Sequence, residues 1–288
     1  MTSRKILYLY HSGSGSTRTV SEQIKVKLAE ISQVHFQSMN RFTDFADIQK
    51  YDVLFFAFPT YHCQPSRSAL EFIEKLPTVP QNHRAYVLTT CGLFRGNSIQ
   101  IFAKQLQKRN VITVGHSTIR GPASDGALMS PIKFKIMYRY ENSIAAKISQ
   151  IISDIEMILK DDRKKIKMPF PSWYAPLNAP NKYLGKLTSN YLKRRIHIVA
   201  SACINCAHCI KECERGCYAT GEERPLMNHI NCEFCLKCMH HCPQKAITFN
   251  RTQNHKRRLD YQFYHKALLK QIQKDSTTSS EHTKTRAK

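Results

Sequence analysis

Apolar runs alternate with amphipathic segments over the first 160 residues of this 288-residue chain. Residues 5–10, KILYLY, form a short apolar run. A loop of small residues follows, and Val20, Ile24, Leu28 and Ile31 then recur at the spacing of one helix face. The pattern predicts a strand, a loop and a helix in that order.

The same alternation continues to residue 159. Further strands are predicted at VHFQS, YDVLFFAFP, AYVLTT and VITVGHS, and helices at SRSALEFIEKLP, NSIQIFAKQLQKR and residues 132–159. YDVLFFAFP is apolar throughout, which indicates a strand buried on both faces and ended by Pro59. Strands alternating with helices indicate a parallel sheet with right-handed crossovers. Residues 1–159 are therefore predicted to form an α/β domain.

Three further segments follow this domain. Residues 160–195 contain four prolines among many basic residues, which predicts a linker that drapes over the first domain. Residues 196–250 hold most of the cysteines between two short strand-like runs, HIVA and AITF. Residues 251–288 predict a basic amphipathic helix and then a disordered tail from residue 276. The residues that mark the helix are Tyr264, Leu268 and Ile272.

Hydropathy and the amino terminus bear on location. The mean hydropathy is -0.43, and no apolar run approaches the twenty residues that a membrane helix needs. The chain starts with MTSRKILYLYHSGSGS, which lacks the apolar stretch and cleavage site of a secretory signal. A cytoplasmic protein is expected. In that compartment eleven cysteines are better explained as metal or redox groups than as disulfides.

The formal charge of +23 is unevenly distributed. The net charge is +10 over residues 1–150, +6 over 151–200, 0 over 201–250 and +7 over 251–288. The cysteine-rich segment is thus a neutral region in a basic protein. A basic surface attracts acidic proteins, anionic lipid or nucleic acid.

Nine of the eleven cysteines lie between Cys203 and Cys242, in two similar runs, CINCAHCIKEC and CEFCLKCMHHCP. Three cysteines spaced by two residues can hold three corners of a cubane cluster. In the bacterial run C-x2-C-x2-C-x3-C-P the fourth cysteine binds the other cluster. Structural zinc usually pairs two CxxC knuckles and has little use for a third cysteine at the same interval, so iron-sulfur chemistry is favoured.

These residues closely resemble the bacterial-type ferredoxins with two [4Fe-4S] clusters, over residues 196–249. The resemblance implies a small α+β module whose flanking strands pair. One cluster would be held by Cys203, Cys206, Cys209 and Cys242. The other would be held by Cys213, Cys232, Cys235 and Cys238.

The first run departs from the ferredoxin pattern. Pro243 follows Cys242, but Glu214 follows Cys213, and Cys217 lies close behind. Cys213 keeps the expected spacing and is the preferred ligand. Cys217 would replace it if the loop through Gly216 folded back. An ionised Glu214 would also disfavour an added electron on the adjacent cluster.

The loop HSGSGSTRT after the first strand predicts a phosphate site. A strand, a loop of small hydroxyl residues and a helix place backbone N–H groups and hydroxyls around an anion at the positive helix end. The loop lacks the lysine of a P-loop and is not a G-x-G-x-x-G dinucleotide fingerprint. Direct NAD(P)H oxidation is therefore not expected.

The first domain resembles the flavodoxin family over residues 4–159. That family has a doubly wound, five-stranded parallel sheet in the order 2-1-3-4-5, and FMN binds where the strand order reverses. The loops PTYHCQP and TTCGLFRGN are similar to its other flavin loops; Tyr61 could instead pack its loop, and His62 is interpreted as a surface histidine. The implied FMN-binding residues are Ser12, Ser14, Gly15, Ser16, Thr17, Pro59, Thr60, Tyr61, Thr90, Cys91, Gly92 and Asn97.

The whole chain resembles the flavodoxin-plus-ferredoxin fusion proteins of anaerobes, such as the EFR-type ferrodoxins. The resemblance implies an electron-transfer iron-sulfur flavoprotein, either a low-potential carrier or a reductase component. Two redox modules on one chain raise the local concentration of each for the other. The expected partner is an acidic redox protein, namely a ferredoxin, a flavodoxin or a reductase.

A second hypothesis belongs to another class. The basic segment NHKRRLDYQFYHK interleaves aromatic residues with charge, which is compatible with binding to nucleic acid around a structural or sensing cluster. No recognition motif accompanies that charge. The same helix could also dock on an anionic membrane surface.

Overall fold

A computed structural model describes the fold of most of the chain. The described residues are 4–80, 82–126, 135–169, 187–250 and 258–286, with side chains described as far as 277.

Five strands of the first domain run parallel in one sheet. They are β1 (Lys5–Tyr10), β2 (Gln33–Ser38), β3 (Val53–Tyr61), β5 (His83–Cys91) and β6 (Val111–Arg120). Their spatial order is β2-β1-β3-β5-β6. Counted among themselves, the parallel strands have the predicted order 2-1-3-4-5. The reversal of order lies between β1 and β3.

A short sixth strand was not predicted. β3 continues past Pro59 to Tyr61, because the chain reverses only at His62 and Cys63. β4 (Gln64–Pro65) then pairs antiparallel with the end of β3. The prediction of a five-stranded sheet is corrected to six strands, with the extra strand beside the carboxyl end of β3.

Helices cover both faces of the sheet. The helices are α1 (Ser16–Leu28), α2 (Arg67–Lys75), α3 (Ser98–Gln107), α4 (Ile144–Lys160), α5 (His208–Glu212), α6 (Lys237–His241) and α7 (Tyr261–Arg286). Within the described ranges, none of them is both long enough and apolar enough to cross a bilayer.

The side chains of each strand alternate between two cores. Ile6 and Tyr8 point into a core shared with α1, α4 and α7. Leu7 and Leu9 point into a second core shared with α2 and α3. All four are completely buried, and each such side chain stabilises the fold by about 1.5–3 kcal/mol. This rigid sheet positions the loops at its carboxyl edge.

The helix predicted over residues 132–159 begins later. Residues 127–134 lie outside the described ranges, and α4 starts at Ile144. The Glu141 amide donates to the Arg120 carbonyl (3.0 Å), and the Arg120 amide donates to the Glu141 carboxylate (2.9 Å). These bonds hold Glu141 against the end of β6, and the described residues before it form only a short 3-10 helix, Lys135–Tyr138.

The start of the linker runs along β6. The Ile166 amide donates to the Val114 carbonyl (2.7 Å), and the His116 ring pairs with the Lys167 carbonyl (3.0 Å). Residues 160–169 of the linker therefore lie over the first domain. Residues 187–193 are helical where a linker was predicted, and Leu192 packs on the core of the cysteine-rich segment. Residues 170–186 lie outside the described ranges.

The cysteine-rich segment forms a small module with its own core. β7 (Ile196–Ile198) and β10 (Ile247–Phe249) pair antiparallel, as expected for its flanking strands. A hairpin of β8 (Tyr218–Ala219) and β9 (Leu226–Met227) lies between the two cysteine runs along the chain. The module core contains Ile196, Cys217, Tyr218, Phe234, Leu236, Met239, Ile247 and Phe249.

The carboxyl-terminal helix belongs to the first domain's core. The predicted amphipathic face is present, because Tyr264 and Leu268 are completely buried and pack with α1 and α4. The helix continues to Arg286, where the sequence predicted a disordered tail. At the start of that tail the Ser276 hydroxyl donates to the Ile272 carbonyl (2.9 Å), so its polar side chain is satisfied within the helix.

This packing predicts that Leu268→Ala lowers the free energy of unfolding by about 2–5 kcal/mol, because it leaves a cavity in the core. The neighbouring Leu269 is 39% exposed, so Leu269→Ala should cost less than about 1 kcal/mol. Urea unfolding followed by circular dichroism measures both. Equal costs for the two variants would show that α7 does not pack on this core.

Candidate functional site

A cavity of about 260 Å³ opens at the carboxyl edge of the parallel sheet. The loops that follow β1, β3, β5 and β6 all contribute to its walls. In doubly wound folds this edge is where ligands bind, beside the reversal of strand order. We call it the sheet-end cavity.

The 12–17 loop leads from β1 into α1 and forms one wall. Gly15 has φ of +139°, a conformation that favours glycine. The Ser12 hydroxyl accepts the amide of Arg18 (3.2 Å), and the hydroxyls of Thr17 and Thr90 share a hydrogen bond (2.7 Å). The first-turn N–H groups of α1 have no intrahelical acceptors. The loop therefore offers hydroxyls and amides at a positive helix end, which fits a phosphate.

Most of the predicted FMN-binding residues line this cavity. They are Ser12, Ser14, Ser16, Thr17, Pro59, Thr60, Tyr61, Thr90, Cys91 and Gly92. Gly15 and Asn97 are not among the lining residues. Gly15 shapes the loop, and Asn97 precedes α3, where its carbonyl accepts the Ile101 amide (2.9 Å).

Other lining residues were missed by the sequence analysis. They are Gly13, His62, Cys63, Leu93, Phe94, Pro122, Ala123, Ser124, Asp125, Met137, Phe234 and Tyr264. The loop after β6 could have been found, since it follows a parallel strand as the other three loops do. Phe234 comes from the cysteine module and Tyr264 from α7, so no local sequence pattern predicts that they line this cavity.

His62 is not the surface histidine expected from the sequence. His62 and Cys63 form the two-residue turn between β3 and β4, with φ of +49° and +61°. Such turns usually carry Asn or Gly, so this turn is strained. His62 lines the sheet-end cavity and stacks on Phe234. Burial lowers the pKa of His62, which keeps its ring neutral near pH 7.

The two isolated cysteines differ in burial. Cys91 is 8% exposed, and burial raises the pKa of its thiol to about 12, so the thiol is inert near neutral pH. Cys63 is partly exposed at the cavity wall, and burial raises its pKa as well. Cys91 is therefore a small buried side chain, whereas Cys63 is open to the cavity.

The two cysteine runs have the same backbone conformation. Asn205 and Ala207 in the first run are left-handed, and so are Phe234 and Leu236 at the matching positions of the second. The helices α5 and α6 begin at the same offset within each run. The repeated sequence thus forms a repeated structure, and each repeat carries three cysteines spaced by two residues.

A small cavity of about 20 Å³ has four cysteines in its wall. They are Cys203, Cys206, Cys209 and Cys242, which we call the first cysteine set. Cys242 belongs to the second run, so the fourth cysteine crosses over as the ferredoxin pattern requires. Cys206 is exposed, and Ile204 in the same cavity wall is 62% exposed.

The second cysteine set comprises Cys213, Cys232, Cys235 and Cys238. Burial and the neighbouring Cys232 and Cys213 raise the pKa of Cys238 to about 12. The Tyr218 hydroxyl donates to Cys238 Sγ (3.1 Å), and the Phe234 amide donates to Cys232 Sγ (3.4 Å). Buried thiols that receive such donors fit a bound cationic metal centre, which would hold them as thiolates.

Cys217 lies beside this set and is 2% exposed. Its amide donates to Cys213 Sγ (3.4 Å), and a hydrogen bond from its thiol lowers the pKa of Cys213. The same contact raises the pKa of Cys217 itself. Cys213 is therefore the better thiolate, while Cys217 remains a protonated donor next to it.

Glu214 occupies the position of the missing proline and contacts the first domain. Its carboxylate lies 3.0 Å from Lys237 Nζ, accepts a hydrogen bond from Asn40 and faces His11 Nδ1 at 3.4 Å. The neighbouring Arg215 pairs with Glu71 on α2. The departure from the ferredoxin pattern thus coincides with a docking contact between the two domains.

His11 at the end of β1 is 1% exposed and lies between two carboxylates. Its Nε2 is 3.1 Å from Glu233, which also accepts the amide and hydroxyl of Ser68 (3.1 Å each). Its Nδ1 makes an ion-pair contact with Glu214, outside hydrogen-bonding geometry. Burial lowers the pKa of His11, but Glu233 and Glu214 outweigh it and raise the pKa to about 9. His11 is therefore an imidazolium at neutral pH.

The second cysteine set lies directly against the 12–17 loop. A Cβ added to Gly13 would be 2.2 Å from Tyr61 Oη and 2.9 Å from Cys235 Cβ. His241 Nε2 donates to the Ser14 carbonyl (2.8 Å), and Tyr264 shares a hydrogen bond with the Ser14 hydroxyl (2.7 Å). The cysteine module and α7 therefore complete the wall of the sheet-end cavity.

Another group could hold a metal ion. Nitrogen and oxygen atoms of His208, Glu212 and His241 lie within 4.8 Å of one another. Lys237 Nζ is 3.3 Å from Glu212 and already supplies a positive charge there. This group is therefore a weaker candidate than the cysteine sets.

Comparisons with known proteins cover about half of this chain. Neither a family model nor a curated protein matches the chain. A flavodoxin from the domain Archaea superposes with a TM-score of 0.40 and 14% identity, covering 55% of this chain and 99% of that one. Flavodoxin 2 from Bacillus cereus superposes with a TM-score of 0.38 and 20% identity, covering 53% of this chain and 98% of that one. Rubredoxin oxygen:oxidoreductase from Desulfovibrio gigas superposes with a TM-score of 0.39 and 13% identity, covering 54% of this chain and 36% of that one.

If the sheet-end cavity binds FMN as the sequence implies, Gly13→Ala should weaken that binding at least about tenfold, since the new methyl group displaces Tyr61 or Cys235. The control is Gly216→Asn. Gly216 is left-handed with nothing within 4 Å of its added Cβ, and Asn tolerates that conformation. Flavin fluorescence quenching on titration with FMN measures both. Unchanged FMN affinity in Gly13→Ala would contradict the predicted close packing.

Proposed function

We propose that this chain is an electron-transfer iron-sulfur flavoprotein. FMN would bind in the sheet-end cavity, and a [4Fe-4S] cluster would bind at each cysteine set. The observation that carries the proposal is the position of Cys235 against Gly13, with the adjacent Phe234 in the wall of the same cavity. A metal-binding run and a phosphate-binding loop that share one buried contact form a single redox unit.

Several residues would bind and orient FMN. The hydroxyls and amides of the 12–17 loop would hold the phosphate at the positive end of α1. Tyr61 and Phe234 would pack near the flavin ring and exclude water from the side that faces the cysteine module. FMN accepts one or two electrons and each cluster passes one, so the group of cofactors joins one-electron donors to two-electron chemistry.

The cysteine sets support iron over zinc. Two runs with the same left-handed residues each supply three cysteines, and Cys242 joins the first set from the second run. Zinc needs only four ligands and has no need of this reciprocal exchange. Cys213 is proposed as the fourth ligand of the second set, because it receives the amide of Cys217 and has the lower pKa.

The partner is proposed to be an acidic redox protein, either a ferredoxin, a flavodoxin or a reductase. The chain carries +23 formal charges, and its cysteine-rich segment is neutral, so charge would steer the partner while Cys206 and the exposed Ile204 would make contact. The chain would act as a low-potential carrier or as a reductase component in the cytoplasm. Binding to nucleic acid gains no support, because Tyr264 is buried and Tyr261 bonds to Glu22 on α1.

Anaerobically purified protein should contain about eight iron, about eight sulfide and one FMN per chain. Cys213→Ser should lower the iron content to about four, because it removes a ligand of the second set. Cys217→Ser should keep about eight. Iron, acid-labile sulfide and flavin assays measure these contents. Cys91→Ser is the control for iron and sulfide, because Cys91 lies outside both cysteine sets, and both contents should match the wild type.

The outcomes separate the alternatives. If Cys217→Ser lost iron while Cys213→Ser kept its full iron content, Cys217 would be the fourth ligand of the second set in place of Cys213. Colourless protein, or protein that holds zinc, would end the proposal.

A further inference from the structure

We propose that His11 is a positioning residue that sets the reduction potential of the cluster at the second cysteine set, by neutralising the two carboxylates beside it. The inference rests on the function proposed above. It assigns to the first domain a direct influence on the cysteine module.

The internal repeat shows what is unusual about the second cysteine set. Glu233 follows Cys232, whereas Ile204 follows the matching Cys203. Glu214 follows Cys213, whereas Pro243 follows Cys242. Two carboxylates therefore flank the second set at positions where the first set has uncharged residues. Negative charge beside a cluster disfavours the added electron and lowers its reduction potential.

The geometry at His11 supplies the opposing charge. Nε2 faces Glu233 at 3.1 Å, and Nδ1 faces Glu214 at 3.4 Å. A neutral imidazole has one N–H and one lone pair, and the lone pair would be repelled by the carboxylate it faces. Both nitrogens must therefore carry a proton. With only 1% of the residue exposed, water screens this charge poorly.

The other nearby cations pair with Glu214 and Glu71, and not with Glu233. Lys237 lies 3.0 Å from Glu214 and 3.3 Å from Glu212, and Arg215 pairs with Glu71. For Glu233, His11 is the one ion-pair partner in the described part of the chain. The charge of Arg215 also acts on Glu233, but Arg215 is paired with Glu71. Removing the His11 charge therefore leaves the Glu233 carboxylate, whose side chain is 3% exposed, without a directly paired cation, next to Cys232 in the chain.

The test is a potentiometric titration of anaerobic holoprotein, followed by electron paramagnetic resonance, which reports the potential of each cluster. The variants are His11→Gln, Glu233→Gln and the double variant. His35→Gln is the matched control, because His35 is an exposed histidine of β2 that bonds to Tyr51.

In His11→Gln, we expect the reduction equilibrium of one cluster to become less favourable by about tenfold, which is 59 mV for a one-electron couple. Glu233→Gln should shift the same cluster in the opposite direction, and the double variant should return towards the wild type. His35→Gln should shift neither cluster, and the other cluster should stay unchanged throughout.

Unchanged potentials in His11→Gln, or equal shifts of both clusters, would overturn the inference while leaving the proposed function intact. If His11→Gln does not fold, Glu233→Gln alone tests the inference. That variant should raise the reduction potential of one cluster, and no such rise would contradict the inference. Wild-type protein without iron would overturn the proposed function and this inference together, and the iron assay identifies that case.

Discussion

The arrangement of the molecule depends on a buried ion pair between its two domains. His11 ends the first strand of the sheet, and its ring lies between Glu214 and Glu233 of the cysteine module. Charges removed from water are tolerated only when they are paired, so these three groups stabilise one another only while the domains are docked. The same docking brings Cys235 against Gly13 and Phe234 into the sheet-end cavity.

This contact explains a departure that the sequence left open. The first cysteine run lacks the proline that follows Cys242 in the second. In its place Glu214 reaches Lys237, Asn40 and His11, so the position serves interdomain docking in place of a rigid turn. The spacing of Cys213 is kept while the residue after it has a different role. A ligand run and a docking surface are combined in the same few residues.

Local patterns predicted the parts of the molecule that local forces determine. The alternation of apolar runs with helix faces predicted five parallel strands, and the resemblance to flavodoxins implied their order. The flanking strands of the module pair as expected. The sequence did not predict β4, because it depends on a strained turn at His62 and Cys63. It placed the start of α4 too early, because bonds between Glu141 and Arg120 override a helical pattern.

The candidate site was predictable only on the side formed by the first domain. Hydroxyl residues after β1 and the loops after β3 and β5 have recognisable patterns. Phe234 and Tyr264 reach the cavity from residues more than 200 positions away from the 12–17 loop, and their placement depends on how the domains pack. His62 was misjudged for the same reason, since it is covered by Phe234.

The most direct test of this account is a crystal structure of anaerobically prepared protein, with anomalous diffraction measured at the iron edge. The account predicts two iron centres in each chain. One should be bound by Cys213, Cys232, Cys235 and Cys238, next to flavin density in the sheet-end cavity. A single centre, a zinc signal in place of iron, or a pair of centres remote from that cavity would contradict it.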